Sequence, residues 1–223
     1  MKSFPRANSR PRIVITAGGT IEPIDPVRFI GNRSSGKMGI SLLRAGLKRR
    51  YPCVLIYANL SIPLPPGRYD AIKAETAGEM LRQLRKTLSP DSVLIMAAAV
   101  ADFRPVKAAG HKIKKKDSAG KLILELKPTT DILKALNAGG RPGYVVMFSA
   151  ETRDLMRNSL AKMKAKNADL LVANDVSRPD SGFGSDFNEA VIVTRSGRTI
   201  KTGRLSKDML AGIILDTIEK ERG

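Results

Sequence analysis

The segment Ser92–Ala99 reads SVLIMAAA, and it indicates the fold more directly than any other stretch of the chain. Its apolar residues follow one another without alternating with polar ones, so a strand formed here would be buried on both faces. Strands of that kind belong to parallel sheets that carry helices on each side. We therefore expect this segment to be a central strand of an α/β sheet.

On both sides of that strand, apolar runs alternate with helical patterns, which favours a Rossmann-like three-layer α/β sandwich with a mainly parallel sheet. The other core strands are predicted near Ile13–Thr16, Val54–Ala58, Ala71–Ala74, Val145–Ser149 and Leu170–Ala173. The helices are predicted at about residues 36–50, 77–88, 129–137, 154–167 and 206–221. A Ser-Gly turn predicts a C-terminal β-hairpin over Ala190–Lys201, and KLILELK at residues 121–127 alternates like an edge strand.

Polar segments follow four of the predicted core strands without a gap. They read AGGT (residues 17–20), AVADFRP (99–105), FSAET (148–152) and ANDVS (173–177). Because the carboxyl ends of parallel strands meet at one edge of the sheet, these segments are expected to lie together there. The sequence therefore predicts a ligand site at that edge.

The composition restricts the chemistry of such a site. The 223 residues include 39 Lys or Arg against 21 Asp or Glu, a formal net charge of +18, which suggests polyanionic partners such as phosphorylated molecules or nucleic acid. His111 is the single histidine, so a Ser-His-Asp triad would have to use it. Cys53 is the single cysteine, so the chain has too few His and Cys residues for a metal cluster of those ligands. Lys, Arg, Asp and backbone amides suit phosphoryl or nucleotidyl transfer, in which positioning and charge neutralisation supply most of the rate.

The chain is predicted to consist of a flexible basic tail at residues 1–11 and a single domain at 12–223. Within that domain, residues 104–121 are lysine-rich and aperiodic, and we expect them to form a mobile basic flap. No apolar run approaches the roughly 20 residues that span a bilayer, and the N-terminus does not resemble a secretory signal. A cytoplasmic protein without membrane contact is therefore expected.

The segment Gly31–Gly39, GNRSSGKMG, has the glycine and lysine spacing of a phosphate-binding P-loop. Met38, however, stands where a P-loop needs a hydroxyl for Mg²⁺. The preceding IEPIDPVRF also cannot form the buried strand from which a P-loop starts. The stretch from Ala17 to Ser35 is therefore interpreted as one long polar loop of another kind, which leads into the first helix.

Taken together, TAGGTIEPIDPVRFIGNRSSGKMG, AAAVADFRP, KIKKK, FSAETRD and KNADLLVANDVS resemble the phosphopantothenate–cysteine ligase family. The resemblance runs from about Arg12 to Ile218, in one order and with similar spacings. Many bacterial members are fused behind a flavin-dependent decarboxylase, whereas this chain resembles a stand-alone ligase. Functional coupling to a separate phosphopantothenoylcysteine decarboxylase is expected.

The resemblance implies particular site residues. Asn32 matches an asparagine associated with the acyl-nucleotide intermediate, Arg28 is a site residue, and Lys112 matches a lysine on the flap over the triphosphate. Asp102 and Phe148 match nucleotide-site residues, although Phe148 suits a core position almost as well. The remaining residues expected to bind the substrates are Gly18, Gly19, Ser34, Ser35, Gly36, Ala98, Ala99, Thr130, Asp131, Ile132, Lys162 and Lys166.

The reaction that the resemblance implies joins 4′-phosphopantothenate to L-cysteine in coenzyme A biosynthesis. The carboxylate attacks the α-phosphorus of CTP (ATP is the alternative nucleotide) and the cysteine amine then displaces the nucleoside monophosphate. Mg²⁺ is expected with the triphosphate, and no ligands for it are identified. A homodimer is expected, with the hairpin Ala190–Lys201 and the segment KLILELK as candidate contact elements.

Two departures from the family pattern concern the edge of the nucleotide site and the flap. The family usually reads KNPDIL where this chain has KPTTDIL, so that Asn-Pro becomes Thr129-Thr130, and His111 stands where glutamate is frequent.

Two other classes of function fit the sequence less well. A nicotinamide-dependent reductase would need G-x-G-x-x-G after the first strand, which TAGGTIE does not supply. A nucleic-acid-binding module fits the charge but not the enzyme-like sheet and the few aromatics.

Overall fold

The structure is a computed structural model that describes residues 10–114, 121–151, 155–175 and 184–223. Most of the predicted tail and residues 115–120 of the predicted flap lie outside the described residues. Arg10 belonged to the predicted tail, but its guanidinium stacks over the ring of Tyr51, 4.8 Å from the ring centroid. That cation–π contact attaches the end of the tail to the body of the protein.

The described residues form twelve strands and five helices. The strands are β1 (Ile13–Ala17), β2 (Ile21–Pro23), β3 (Phe29–Gly31), β4 (Cys53–Tyr57), β5 (Asp70–Lys73), β6 (Val93–Met96), β7 (Phe103–Pro105), β8 (Leu126–Pro128), β9 (Tyr144–Glu151), β10 (Leu170–Asp175), β11 (Phe187–Thr194) and β12 (Thr199–Ser206). The helices are α1 (Lys37–Lys48), α2 (Ala77–Thr87), α3 (Ile132–Gly139), α4 (Leu155–Ala165) and α5 (Lys207–Arg222).

Eight of these strands form one sheet in the order β12-β11-β10-β9-β6-β1-β4-β5. From β5 to β10 all neighbours are parallel, while β11 and β12 are antiparallel additions. β1 lies near the middle of the sheet, and β4 and β5 follow it toward one edge. The chain then crosses back, so that β6 pairs with β1 on the side opposite β4. This is the doubly wound strand order, and it confirms the predicted Rossmann-like architecture with a C-terminal hairpin.

Helices cover both faces of the sheet, which explains why the central strands are apolar throughout. On one face α1 and α5 pack in a cluster that includes Ile40 and Ile214, and on the other α2, α3 and α4 pack in a cluster that includes Met80 and Leu136. All four residues of β6 are buried, as the segment SVLIMAAA predicted. The three layers are therefore held together by apolar burial on both sides of the sheet.

Two sequence-based expectations were wrong in detail. The predicted loop from Ala17 to Ser35 contains an antiparallel pair, β2 with β3. The predicted edge strand KLILELK is a strand only at its end, in β8, which pairs with β7 in a separate two-stranded sheet. Its alternating pattern predicted one buried face, but Ile123 is 88% exposed, so among the described residues nothing covers the side chain at the middle of the segment.

Side-chain caps fix where three of the helices begin. Thr76 and Glu79 form the reciprocal capping box predicted for α2, Asp131 caps α3, and Ser206 caps α5. Of the described helices, none is both long and apolar enough to cross a membrane.

Candidate functional site

A cleft of about 710 Å³ opens at the edge of the sheet where the parallel strands end. Its position agrees with the ligand site predicted from the polar segments that follow the strands. Thirteen of the predicted site residues line it, and they come from segments far apart in the sequence: Asn32, Ser34, Ser35, Gly36, Ala98, Ala99, Asp102, Thr130, Asp131, Ile132, Phe148, Lys162 and Lys166.

Asn32 is held over the end of β6. Its side-chain nitrogen donates to the carbonyl of Val100 at 2.9 Å, so the amide is oriented before any substrate is present. Gly19 lies directly behind it, where a Cβ would come within 2.5 Å of the Asn32 carbonyl oxygen. Any larger residue at position 19 would push the Asn32 backbone away from the strand ends.

The loop after Asn32 is shaped by a glycine in the left-handed region. Gly36 has φ +76°, and a Cβ there would meet Leu60 Cδ2 at 2.1 Å. Gly36 is the N-cap of α1 and has no side chain that could cap the helix. The start of α1 therefore faces the cleft with the positive end of its dipole and without an acidic residue in its first turn.

The floor of the cleft is the segment after β6, and threonines hold its backbone in place. Thr16 Oγ1 accepts from the Ala98 amide at 3.1 Å, and Thr20 Oγ1 accepts from the Ala101 amide at 2.8 Å. Thr129, one of the two departures from the family pattern, donates from its amide to the Asp102 carbonyl at 2.8 Å. This residue thus ties the floor to the wall formed by β8 and α3, using its backbone and also its hydroxyl.

The same wall carries the acidic cap of α3 and two lysines, one in α4 and one in the residue that follows it. Asp131 accepts from the Lys134 amide at 3.2 Å as the N-cap of α3, and Lys166 Nζ lies 3.4 Å from its other oxygen. Lys162 lines the same wall. Phe148 lines the cleft and also packs against the apolar cluster under α1 and α5. Its position therefore combines the two that the sequence suggested, one at the ligand site and one in the core.

Four predicted site residues, Gly18, Gly19, Arg28 and Lys112, do not line the cleft. Gly18 has φ +81° and supports the same loop from behind, because a Cβ would come within 2.4 Å of the Asn59 carbonyl oxygen. Lys112 is exposed, and no contact of its side chain with the cleft is observed.

Arg28 instead belongs to a polar clasp that holds Ile113, within the segment predicted to form the flap. Its guanidinium forms an ion pair with the buried Asp25 at 2.5 Å and donates to the Ile113 carbonyl at 2.7 Å. The same Asp25 oxygen accepts from the Ile113 amide at 3.1 Å. Both backbone polar groups of the residue after Lys112 are therefore held by one charged pair.

The clasp also determines the charge of Asp25. Burial by itself raises the pKa of this carboxyl, but hydrogen bonds from the Arg28 side chain and from the amides of Val27, Arg28 and Ile113 outweigh burial. Together they hold the pKa of Asp25 well below its usual range. The carboxylate stays ionised at any pH where the protein is expected to work.

The sequence analysis missed the polar residues at the end of the cleft nearest α1 and α5. Lys37, Lys207, Asn174 and Asn188 line the cleft there. Asn188 is 2% exposed and donates from Nδ2 to Asn174 Oδ1 at 3.1 Å. Asn174 stood in a flagged segment, ANDVS, and could have been identified from it. Lys207 carried no sequence signal, since it simply follows the Ser206 cap.

The charges of the cleft suit anionic ligands. The acidic residues among its described lining residues are Asp102 and Asp131, whereas Arg33, Lys37, Lys162, Lys166 and Lys207 are basic. Among the described residues no group of three or more His, Cys, Asp or Glu side chains could hold a metal ion. The lining is therefore suited to bind phosphate groups directly through cations and amides.

Comparison with known proteins agrees with this architecture. The family described as the DNA/pantothenate metabolism flavoprotein C-terminal domain matches residues 9–221. The coenzyme A biosynthesis bifunctional protein CoaBC of Bacillus subtilis (strain 168) is 40% identical over 210 residues, covering 92% of this chain and 51% of that protein. The protein of the same name from Escherichia coli (strain K12) is 39% identical over 212 residues, with the same coverage, 92% and 51%. The chain thus spans about half the length of these relatives.

Solved structures show the same fold. The crystal structure of the C-terminal domain of a coenzyme A biosynthesis bifunctional protein CoaBC has a TM-score of 0.79 and 32% identity, with 95% of each chain covered. A Cab2 mutant in complex with phosphopantothenate-cysteine is alike in fold only, with a TM-score of 0.74, 20% identity and coverage of 94% of this chain and 87% of that one. Because the family matches residues 9–221 and the two CoaBC relatives are 40% and 39% identical, the chain belongs to the family of the DNA/pantothenate metabolism flavoprotein C-terminal domain.

Proposed function

We propose that this protein ligates 4′-phosphopantothenate to L-cysteine at the expense of a nucleoside triphosphate, in coenzyme A biosynthesis. The observation that carries the proposal is the convergence of thirteen predicted site residues on one cleft at the carboxyl edge of the sheet. Family membership and the CoaBC relatives support it, because this chain matches about half of a bifunctional coenzyme A biosynthesis protein. The product would then be the substrate of a phosphopantothenoylcysteine decarboxylase.

In the first half-reaction, the carboxylate of 4′-phosphopantothenate attacks the α-phosphorus and pyrophosphate leaves. The developing charge lies on phosphate oxygens, which the lysines of the cleft can neutralise and the amides at the start of α1 can bind. In the second, the cysteine amine attacks the acyl carbon of the acyl-nucleotide, and the nucleoside monophosphate leaves. Asn32 is placed to donate to an oxyanion or accept from the amine, and its bond to Val100 keeps it oriented.

Mg²⁺ is proposed as an ion that arrives with the triphosphate. The described residues offer no cluster of three or more candidate ligands, so a dedicated protein site for the ion is not supported. Phosphate oxygens and water are the partners that Mg²⁺ usually keeps in nucleotide sites. The protein's contribution in this proposal is the basic lining of the cleft.

We propose CTP as the nucleotide. A base held by backbone groups along the floor of the cleft, between Ala98 and Asp102, would be selected by hydrogen bonds that the wrong base leaves unpaired. Pyrophosphate release in the presence of 4′-phosphopantothenate and cysteine is expected to be at least several-fold faster with CTP than with ATP. Equal rates, or faster release with ATP, would contradict the choice of CTP, and no release with either would contradict the ligase itself.

We propose that the protein is a homodimer and that the contact involves the exposed apolar side chains of the two small hairpins. Val27, Phe29, Phe103 and Ile123 are all more than half exposed, and they lie on the β2–β3 turn, on β3, on β7 and before β8. An apolar surface of this kind is typical of protein–protein contacts. The far edge of the predicted contact hairpin, β12, instead exposes Lys201 and Arg204, which discourage edge pairing.

Sedimentation at micromolar concentration tests the dimer. The wild-type protein is expected to sediment as a dimer, and Phe103→Asp is expected to shift it to monomer, because a charge would be buried in an apolar contact. Met209→Asp is the matched control, since Met209 is 60% exposed but lies on α5. A wild-type monomer, or a dimer that only Met209→Asp disrupts, would contradict the proposed surface.

A further inference from the structure

The loop residue Thr129 holds the main chain from which Asp102 reaches the cleft. Thr129 lies between the end of β8 and Asp131, the N-cap of α3. Its amide donates to the Asp102 carbonyl at 2.8 Å, and its hydroxyl donates to the Ala101 carbonyl at 2.5 Å. Thr129 is one of the two residues at which this chain departs from the usual family pattern, and the resemblance implied no role for it.

These contacts continue the ladder of the β7–β8 pair toward the cleft. At this end the ladder closes with the pair Phe103 and Pro128. The next residue along each strand is Asp102 and Thr129, respectively. Proline has no amide hydrogen to donate, so Thr129 supplies the first backbone donor beyond it. The small sheet is thereby joined to the floor of the cleft.

The two hydrogen bonds act on the two peptide units that flank the Cα atom of Asp102. The unit before this atom carries the Ala101 carbonyl, and the unit after it carries the Asp102 carbonyl. Because a peptide unit is planar, holding its oxygen restricts the rotation of the whole unit. Thr129 therefore restricts both φ and ψ of Asp102 and sets the direction of its Cα–Cβ bond.

Ala101 is held from the other side as well. Thr20 Oγ1 accepts from the Ala101 amide at 2.8 Å, so both backbone polar groups of Ala101 are bound by threonine hydroxyls. Ala101 is only 2% exposed, and buried backbone groups need partners within the protein. Removal of the Thr129 hydroxyl would therefore leave the Ala101 carbonyl without the partner that fixes its peptide unit.

The carboxylate of Asp102 depends on this main chain for its position. Asp102 is exposed and lines the cleft. Among the residues that the structure describes, none forms a hydrogen bond or an ion pair with its side chain. The direction in which the carboxylate enters the cleft is therefore set by its backbone, and Thr129 holds that backbone on the side of α3.

We propose that Thr129 is a positioning residue for the nucleotide. Its amide and hydroxyl hold the Asp102 main chain so that the carboxylate points into the cleft in one direction before the nucleotide arrives. A group that is already oriented does not have to be ordered when the ligand binds, and the affinity gains by that amount. This inference rests on the proposed ligase function, in which Asp102 belongs to the nucleotide site.

Calorimetric binding of CTP and of 4′-phosphopantothenate tests this role, with ATP in place of CTP if the wild type binds ATP more tightly. Thr129→Val removes the hydroxyl and keeps the shape of the side chain. It is expected to weaken CTP binding about 5- to 10-fold, the value of one hydrogen bond, and to leave 4′-phosphopantothenate binding unchanged. Thr129→Ser keeps the hydroxyl and should bind CTP within about 2-fold of the wild type.

Thr217→Val is the matched control. Thr217 is 3% exposed, and its hydroxyl donates to the Ile213 carbonyl at 2.8 Å within α5, away from the cleft. The substitution removes a buried hydroxyl of the same kind without touching the floor of the cleft. Its affinity for CTP should therefore equal that of the wild type, whatever its melting temperature.

A double-mutant cycle shows whether Thr129 acts through Asp102. Asp102→Ala removes the carboxylate and is expected to weaken CTP binding about 10-fold or more. In that background Thr129→Val should add less than about 2-fold, because the group that it positions is gone. A residue that only stabilises the fold, or that itself contacts the nucleotide, would weaken binding by the same factor in both backgrounds.

Three results would overturn the role of Thr129. They are CTP binding by Thr129→Val as tight as that of Thr217→Val, an equal loss for CTP and 4′-phosphopantothenate, and an undiminished effect in the Asp102→Ala background. A wild-type protein that binds neither CTP nor ATP would overturn it too. The expected binding pattern in a protein that releases no pyrophosphate with 4′-phosphopantothenate and cysteine would support the role of Thr129 and contradict the ligase.

Discussion

The central strand β6 and the small antiparallel pairs β2–β3 and β7–β8 are held in opposite ways. Every residue of β6 is buried, and helices pack on both of its faces. In the hairpins, Phe29 and Phe103 are each 52% exposed, and the best-defined contacts are polar: the clasp of Asp25 and Arg28 on Ile113.

Stability and function depend on different parts of this chain. Apolar burial fixes the strands, so the carboxyl edge of the sheet is a rigid platform for the cleft. The hairpins and the segment around Ile113 contribute few buried apolar groups, so their positions depend on a small number of charged hydrogen bonds. Changes in the sheet should therefore mainly cost stability, and changes in the hairpin region should mainly cost activity.

The largest effect on stability is expected from Leu94→Ala in β6. Leu94 is fully buried under α2, α3 and α4, so the truncation leaves a cavity and should lower the free energy of unfolding by about 2–5 kcal/mol. Urea denaturation measures this value. Leu122→Ala, at a residue that is 44% exposed beside β8, is the matched control and should change it by less than about 0.5 kcal/mol. Equal losses in the two variants would remove the distinction between the regions.

The largest effect on activity is expected from Lys112→Gln in the flap. If its ammonium meets the phosphates in the complex, the loss should reduce turnover on the order of 100-fold. The melting temperature should barely change, because Lys112 is exposed and its removal affects stability by no more than about 0.5 kcal/mol. Lys114→Gln should be tolerated, since a diffuse attraction is screened by salt. Turnover near the wild-type value in Lys112→Gln would show that this lysine run is only a solvated loop.

A smaller effect is expected from Asp25→Asn in the clasp. The substitution keeps the shape of the side chain but removes the charge that binds Arg28 and the Ile113 amide. Turnover is expected to fall about 10-fold through misplacement of the segment around Ile113. Trypsin should also cut after Lys112 several-fold faster, because the scissile segment is no longer held.

Asp70→Asn is the control for the clasp, since Asp70 is an exposed carboxylate on β5, away from the flap. The ionised carboxylate of Asp25 stabilises the folded protein at neutral pH, because its pKa is lowered by folding, so the melting temperature should fall in either case. A merely structural role of Asp25 would speed cleavage at many sites, whereas faster cleavage confined to Lys112 is the result expected of a positioning residue. Unchanged cleavage at Lys112 would contradict the role of the clasp.

The hydrophobic pattern was enough to predict the sheet and the edge at which the cleft opens. SVLIMAAA indicated a strand buried on both faces, and the polar segments after the strands indicated a common edge. Both signals are local, because periodicity and strand ends can be identified without knowing which elements pack together. Thirteen of the site residues that the family resemblance implied line the cleft, and most of them belong to segments that follow a strand or open a helix.

Other features depended on contacts between distant segments, and only the tertiary structure decided them. Arg28 was expected in the site, but its partner Asp25 and the distant Ile113 make it part of a clasp. Lys207 drew no attention in the sequence, yet the packing of α5 against α1 buries it at the cleft beside Lys37. The segment KLILELK alternated like an edge strand, but only its end is a strand, and it pairs with β7 outside the main sheet. A side chain's burial, charge partners and strand pairing are set by residues far along the chain, whereas its periodicity is set by its neighbours in sequence.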